Sequence, residues 1–238
     1  MIKTHRSKNQ KIWYDSSVIH HDLDRLFDIN YWQNQNKVIG QASGRGTTWF
    51  VDLGETHAAL RHYRRGGLFG KLVKDQYVFT GFDKTRSALE FSLLGLMRKN
   101  GLNVPKPIAA NAQKSGLTYR ADIITEKIKN ARDLVDILKS EPLEARHYQK
   151  IGREIRKMHD LGINHTDLNI HNILMDEQEK FWIIDFDKCF QQSGENWKQG
   201  NLDRLKRSFE KEVQKKEIVL NFHSCWTCVN ESYSNHKS

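Results

Sequence analysis

The segment from Leu143 to Asp187 constrains this chain more than any other. It opens with a helical stripe in which Tyr148, Ile151, Ile155 and Met158 fall on one face, and Gly162 is placed to end it after Leu161. An irregular stretch, Asn164 to Asn172, follows. Two short apolar runs, Ile173 to Met175 and Phe181 to Ile184, are then joined by a polar turn from Asp176 to Lys180, the pattern of a small hairpin. Three side chains on this frame carry chemistry. Asp167 sits on a loop just past a buried helix, where it can accept the proton of an attacking hydroxyl. Asn172, five residues on, lies where the loop becomes a strand and offers an amide oxygen to a divalent ion. Asp185 ends the partner strand, so its carboxylate can reach the same ions. Separately, a capping Asp, a loop Asn and a strand-end Asp are ordinary. Together, with the helix before them and the hairpin between, chance explains them poorly.

The first half predicts strands and turns. Val38 to Gln41 runs through the glycine-containing turn Gly44-Arg45-Gly46-Thr47-Thr48 into Trp49 to Gly54, and a third strand fits His57 to Tyr63. A helix is expected from Thr85 to Asn100, with Leu89, Leu93, Leu96 and Met97 at helical spacing and Gly101 as its cap. Pro105 and Pro107 prevent its continuation. Thr118 to Glu126 predicts a strand, Asn130 with Asp133 a cap for a short helix over Leu134 to Leu138, and Asp203 to Val219 a charged helix.

Composition sets the limits. The 238 residues are 38% hydrophobic and 28% charged, ordinary for a globular protein and too apolar for disorder. No apolar run approaches the roughly 18 residues of a spanning helix, and the basic N-terminus lacks the apolar core of a secretory signal. Three cysteines do not suggest a disulfide framework. Cys225 and Cys228 form a CxxC with no second ligand pair at zinc spacing, so packing is the favoured role. The net charge of +9, with Arg61, His62, Arg64, Arg65, Lys71 and Lys74 clustered, calls for an anionic partner or simply makes a solvated basic face.

The run from His165 to Leu174 and the turn Ile184-Asp185-Phe186-Asp187 resemble the catalytic loop and metal-binding turn of protein-kinase-like enzymes, H-x-D-L-x-x-x-N and D-F-G. The resemblance implies an α+β, two-lobed fold in a single domain. Its small β-rich N-lobe would span about 30–125, its reduced helical C-lobe about 126–220, and a tail 221–238. It implies ATP and Mg2+ as cofactors, Asp167 as catalytic base, and Asn172 and Asp185 as metal ligands. It also implies a phosphate-covering loop at Gly44, Arg45, Gly46 and Thr47. Arg61 stands where the pattern has its ATP-contacting lysine; Lys71 or Arg64 remain alternatives for that role. Glu90 stands at its partner carboxylate, and Glu126 to Ile128 at the adenine hinge. His165 and Asn169 are expected to brace the loop.

Asp187 in place of glycine, Thr166 in place of arginine, and the short chain after Asp185 depart from ordinary protein kinases. The blocks from His165 to Leu174, from Ile184 to Lys188, from Leu60 to Leu68 and from Arg86 to Phe91 resemble the 3-deoxy-D-manno-octulosonic acid (Kdo) kinases of Gram-negative bacteria. That resemblance covers about Gly40 to Lys211. It implies transfer from ATP to the 4-hydroxyl of Kdo on an anionic glycolipid of the Kdo-lipid IVA type, by a peripheral protein at the cytoplasmic face of the inner membrane. Nucleic acid is not expected as a partner. Another sugar or protein kinase, or a kinase-like binding module without turnover, are the competing readings; the intact trio argues against the last.

Overall fold

The computed structural model describes residues 1–20, 22–43, 46–65 and 75–235. They divide into two compact units, 1–95 with 106–128, and 96–105 with 129–238.

The first unit is built on one antiparallel sheet. Its strands are β1 (Ile2–Arg6), β2 (Gln10–Asp15), β3 (Val38–Ser43), β4 (Thr47–Asp52), β5 (His57–His62), β6 (Tyr77–Val78), β7 (Pro107–Ser115) and β8 (Thr118–Glu126). They lie in the order β1-β2-β7-β8-β5-β4-β3, with β6 also on β8. The expected strand–turn–strand and the third strand are present as β3, β4 and β5, and the strand over Thr118 to Glu126 is β8. Before β3 comes a short helix, α1 (Ile29–Asn34), whose Trp32 is fully buried and donates its indole N–H to the Leu26 carbonyl at 2.8 Å. Trp32, Leu26, Val51, Leu60, Ile108 and Ile124 form the core beneath the sheet. Burying each such aliphatic side chain contributes about 1.5–3 kcal/mol.

The helix α2 (Arg86–Lys99) matches its expected span, and Gly101 beyond it has φ +76°. Its buried face differs from the expected one. Leu89 is 53% exposed, while Ala88, Glu90, Phe91, Leu93, Leu94 and Met97 are buried. The helix is rotated so that a carboxylate, Glu90, faces inward, and this is possible because Glu90 is paired there.

In the second unit, β9 (Arg132–Asp133) precedes α3 (Leu134–Ser140) and α4 (Ala145–Asp160). Asp133 caps α3 by accepting the Val135 N–H at 2.7 Å; Asn130 takes no part in the cap, its amide reaching Glu177 instead. Glu144 and His147 form a capping box at the start of α4, whose Tyr148, Ile151, Ile155 and Met158 are buried as the stripe requires. After Gly162, at φ +70°, come β10 (Ile163–Asn164), β11 (Ile173–Met175), β12 (Phe181–Ile183) and β13 (Phe190–Gln191). β11 and β12 are the expected hairpin, with Ile173 opposite Ile183.

Two helices close the unit, α5 (Lys198–Lys215) and α6 (Phe222–Asn235). The expected charged helix is α5, displaced towards the N-terminus. Cys225 and Cys228 lie half-buried on α6 as free thiols, and burial raises the Cys225 thiol pKa. α6 crosses α4 so closely that a Cβ on Gly152 would meet the Val229 carbonyl at 2.2 Å.

Candidate active site

The second unit holds Asp167, Asn172 and Asp185 on one braced loop system. The Asp167 carbonyl accepts two side-chain amides, Asn169 Nδ2 and Asn172 Nδ2, each at 2.9 Å. Committing Nδ2 of Asn172 in this way fixes the amide orientation, so its Oδ1 faces the other side. The Asn169 Oδ1 accepts the His171 N–H at 2.9 Å, and the His171 ring reaches Asp133 at 3.0 Å. The loop is joined to the turn at Asp185 by the Ile184 N–H, which donates to the Asn172 carbonyl at 3.0 Å.

Asp185 itself has φ +62°, the left-handed region. Asp tolerates this better than β-branched residues, and the bend turns the chain sharply at the end of the hairpin. Strain of this kind, held by surrounding structure, is common where side chains must be aimed. His165 does much of the holding. It is fully buried, its ring meets Phe186 edge-on at 4.8 Å, and its Nε2 lies 3.0 Å from the Ile184 carbonyl. A carbonyl can only accept, so Nε2 carries the proton. Burial lowers the imidazole pKa and keeps the ring neutral. His165 thus pins the residue immediately before Asp185, the bracing role expected of it.

One contributor carried no signal in the sequence. Asn201 on α5 is 6% exposed, and its Oδ1 accepts the His165 backbone N–H at 3.0 Å while its Nδ2 donates to Asn164 Oδ1 at 2.9 Å. The same Oδ1 lies 3.3 Å from Nε2 of His159, whose Nδ1 is 2.9 Å from the Tyr233 hydroxyl on α6. Ser208, also on α5, accepts the Ile170 N–H at 3.0 Å. The entry and the middle of the loop are therefore held from a helix that begins beyond the turn at Asp185.

In the first unit the structure brings Arg61 and Glu90 together. Arg61 Nη2 is 2.6 Å from Glu90 Oε1, and the Tyr63 hydroxyl donates to Oε2 at 2.5 Å. Within the basic cluster, His62 is held by Asp122 and Asp75, and Arg65 donates to the Gln76 carbonyl at 2.7 Å. Among described residues 61–65, only Arg64 is exposed, and its side chain lies against Gly46, 3.0 Å from where a Cβ would stand. Thr47 opens β4 opposite Ser43, directly after Gly46. Gly44, Arg45, Lys71 and Lys74 lie outside the described residues. Glu126 pairs with Ala58 at the end of β8, followed by Ile128, which is buried.

The element order, three sheet strands, a helix and two further strands, then a helix, loop and hairpin, is that of the kinase-like α+β fold. Comparison with known proteins gives the family. The family model "Lipopolysaccharide kinase (Kdo/WaaP) family" matches residues 29–226. A 3-deoxy-D-manno-octulosonic acid kinase of Vibrio cholerae is 62% identical over 92% of this chain and 93% of its own. One from Photobacterium profundum is 55% identical over 94% of this chain and 95% of its own. A solved structure, the kinase PK-1 of Cydia pomonella granulovirus, aligns with 68% of this chain and 56% of its own at 17% identity and a TM-score of 0.47.

Proposed function

Because this chain belongs to the lipopolysaccharide kinase (Kdo/WaaP) family, we propose that it transfers the γ-phosphoryl group of ATP to the 4-hydroxyl of Kdo on a lipid A precursor. It is a phosphotransferase of lipopolysaccharide biosynthesis, and Kdo kinases that are 49% to 62% identical span nearly its whole length. The observation that carries the mechanism is the loop geometry: Asp167 is presented from a backbone clamped by Asn169 and Asn172, next to a turn that aims Asp185.

Asp167 orients the acceptor hydroxyl and takes its proton as the oxygen attacks phosphorus in line. Asn172 Oδ1 and the Asp185 carboxylate are hard oxygen donors that fit Mg2+, which uses one or two protein oxygens together with substrate phosphates. These two side chains would hold it together with the nucleotide phosphates. When bound, that ion neutralises phosphate charge. Arg61, kept in place by Glu90 and Tyr63, positions the ATP phosphates, and Gly44 to Thr47 shields them from water. No helix is long and apolar enough to cross a membrane among the described residues. The protein reaches its lipid-linked acceptor peripherally, at the inner face of the inner membrane.

The test is an acceptor panel with Mg-ATP: Kdo-lipid IVA, free Kdo, an aminoglycoside and a generic protein substrate. Phosphate on the Kdo 4-hydroxyl, lost in Asp167→Ala, supports the reading. Transfer only to protein rejects the acceptor, and undiminished transfer by Asp167→Ala rejects the base.

A further inference from the structure

Apolar side chains gather at one end of the eight-stranded sheet, outside its core. Leu117, in the turn between β7 and β8, is 87% exposed, and Val78 in β6 is 70% exposed. They are neighbours: Val78 pairs with Thr118, and the Phe79 N–H donates to the Leu117 carbonyl at 2.9 Å. Behind them the half-buried rings of Phe79 and Phe82 meet edge-on at 5.0 Å. The turn needs Gly116, which has φ +59°, but it does not need Leu117. Turn positions ordinarily take polar residues, so an almost fully exposed leucine here is unexplained by the fold.

Cations surround this apolar tip. Lys114 Nζ stands 5.1 Å from the centre of the Phe79 ring and Arg6 Cζ 5.6 Å from that of Phe82. Lys84 is exposed two residues after Phe82, and Lys8 is exposed in the β1–β2 turn, where the Asn9 carbonyl accepts the Lys114 N–H at 2.7 Å. The nearby carboxylates are already engaged, Asp83 by Lys11 at 2.6 Å and Asp75 by Arg120 at 3.0 Å.

We propose that this end of the sheet is a membrane-docking surface, with Leu117 and Val78 entering the headgroup region of an anionic bilayer and Arg6, Lys8, Lys84 and Lys114 meeting lipid phosphates. The inference rests on the peripheral, lipid-linked reading given above. A tip with two strongly exposed aliphatic side chains is small beside the roughly 800 Å² per partner of a stable protein interface. A bilayer asks for less: a few apolar side chains inserted at the interface, with cations around them. Each cation held at an anionic surface raises partitioning by roughly fivefold.

The test is co-sedimentation of the full chain with vesicles of phosphatidylethanolamine and phosphatidylglycerol, three parts to one, and with neutral phosphatidylcholine vesicles. The unaltered protein binds the anionic vesicles, and less so as salt rises. Leu117→Ser with Val78→Thr weakens binding about tenfold or more, and Lys84→Glu with Lys8→Glu weakens it similarly. These side chains are exposed, so both doubles keep their thermal midpoint and their transfer rate to detergent-dispersed acceptor. Vesicle binding that both doubles retain overturns the proposal, as does a failure of the unaltered protein to bind. Loss of self-association in the doubles, without any vesicle binding, overturns it in favour of a second copy. Normal transfer to dispersed acceptor with no vesicle binding removes the surface and leaves the function. Tip-dependent binding with no transfer to any Kdo acceptor does the reverse.

Discussion

Arg61 meets both oxygens of Glu90 through one nitrogen: Nη2 lies 2.6 Å from Oε1 and 2.7 Å from Oε2. The Tyr63 ring lies 5.0 Å from Arg61 Cζ, and its hydroxyl binds Glu90 Oε2. Glu90 is 4% exposed, so its charge depends on these partners.

The Nη2 contact with Glu90 is one that an ammonium can reproduce. Arg61→Lys is therefore expected to keep kcat/KM for ATP within about tenfold, although lysine is a poor substitute where arginine binds as a two-pronged fork. Arg61→Met removes the cation whose Nη2 meets both carboxylate oxygens of buried Glu90. The expected loss in kcat/KM is about 100-fold or more, with thermal destabilisation of roughly 3–5 kcal/mol. Steady-state kinetics over ATP concentration, alongside thermal melts, separate the two variants. Equal losses in both would show that guanidinium geometry matters after all.

Asp167→Asn keeps the shape of the side chain and the backbone carbonyl that Asn169 and Asn172 bind, but removes the base. Transfer is expected to fall by about 10²–10⁴-fold with little change in melting temperature or in KM for ATP. Single-turnover transfer is the measurement. A large rise in KM with kcat intact would move Asp167 from proton transfer to binding.

What could be read in the sequence was local. The α4 stripe, the glycines after α2 and α4, and the hairpin around Asp185 are set by neighbours within a few residues. Arg61 and Glu90 were legible only as positions in a pattern, since 29 residues separate them. β7 was not anticipated, because Pro107 to Ala112 is a run of six buried residues rich in alanine, without the alternation of a half-exposed strand. β1 is exposed throughout and defined by its register on β2, which in turn lies on β7 about a hundred residues away. Asn201 gave no signal because it acts on a backbone N–H, and any loop offers one.

Asn201→Ala tests that brace. It deprives the buried His165 N–H of its acceptor and Asn164 of its donor, at a cost of about 1–3 kcal/mol. As a positioning residue, Asn201 should affect kcat well before KM for ATP. Asn201→Asp retains an acceptor for the His165 N–H and should recover part of kcat, which a purely structural loss would not predict. A variant whose kcat and stability both match the unaltered protein would dismiss the brace.

The pH dependence of stability has two opposed parts. The hydrogen bond that His62 donates to Asp122, with help from Asp75, raises the His62 pKa above its usual value against partial burial. Its contribution is complete below the unfolded pKa of about 6.5 and is lost as pH rises through the raised folded value. His159 does the opposite, because burial lowers its pKa to about 4. Its neutral form is favoured in the fold, so stability falls as acidification takes pH from about 6.5 towards 4; buried His165 acts in the same direction. Comparing the unaltered protein with His62→Gln isolates the first part. Their stability difference is expected to be largest below the unfolded pKa of about 6.5 and to shrink as pH rises through the raised folded value. A difference that grows with pH would refute the assignment.

The crossing of α4 and α6 offers the sharpest structural test. A Cβ at Gly152 would stand 2.2 Å from the Val229 carbonyl and 3.1 Å from the Tyr233 N–H nitrogen, and both are backbone atoms that cannot rotate away. Gly152→Ala must push α6 off α4, even though alanine is the better helix former by about 1 kcal/mol. The displacement would disturb the 2.9 Å contact of the Tyr233 hydroxyl with His159 and the 2.8 Å bond from Ser232 Oγ to the Gln149 carbonyl. Net destabilisation of about 1–3 kcal/mol is expected, with faster amide exchange confined to α6. Because His159 shares Asn201 with the His165 N–H, kcat should fall as well, and Tyr233→Phe should reproduce part of that fall without the steric clash. A stable Gly152→Ala variant with unchanged exchange in α6 would mean that the two helices do not cross this closely in solution.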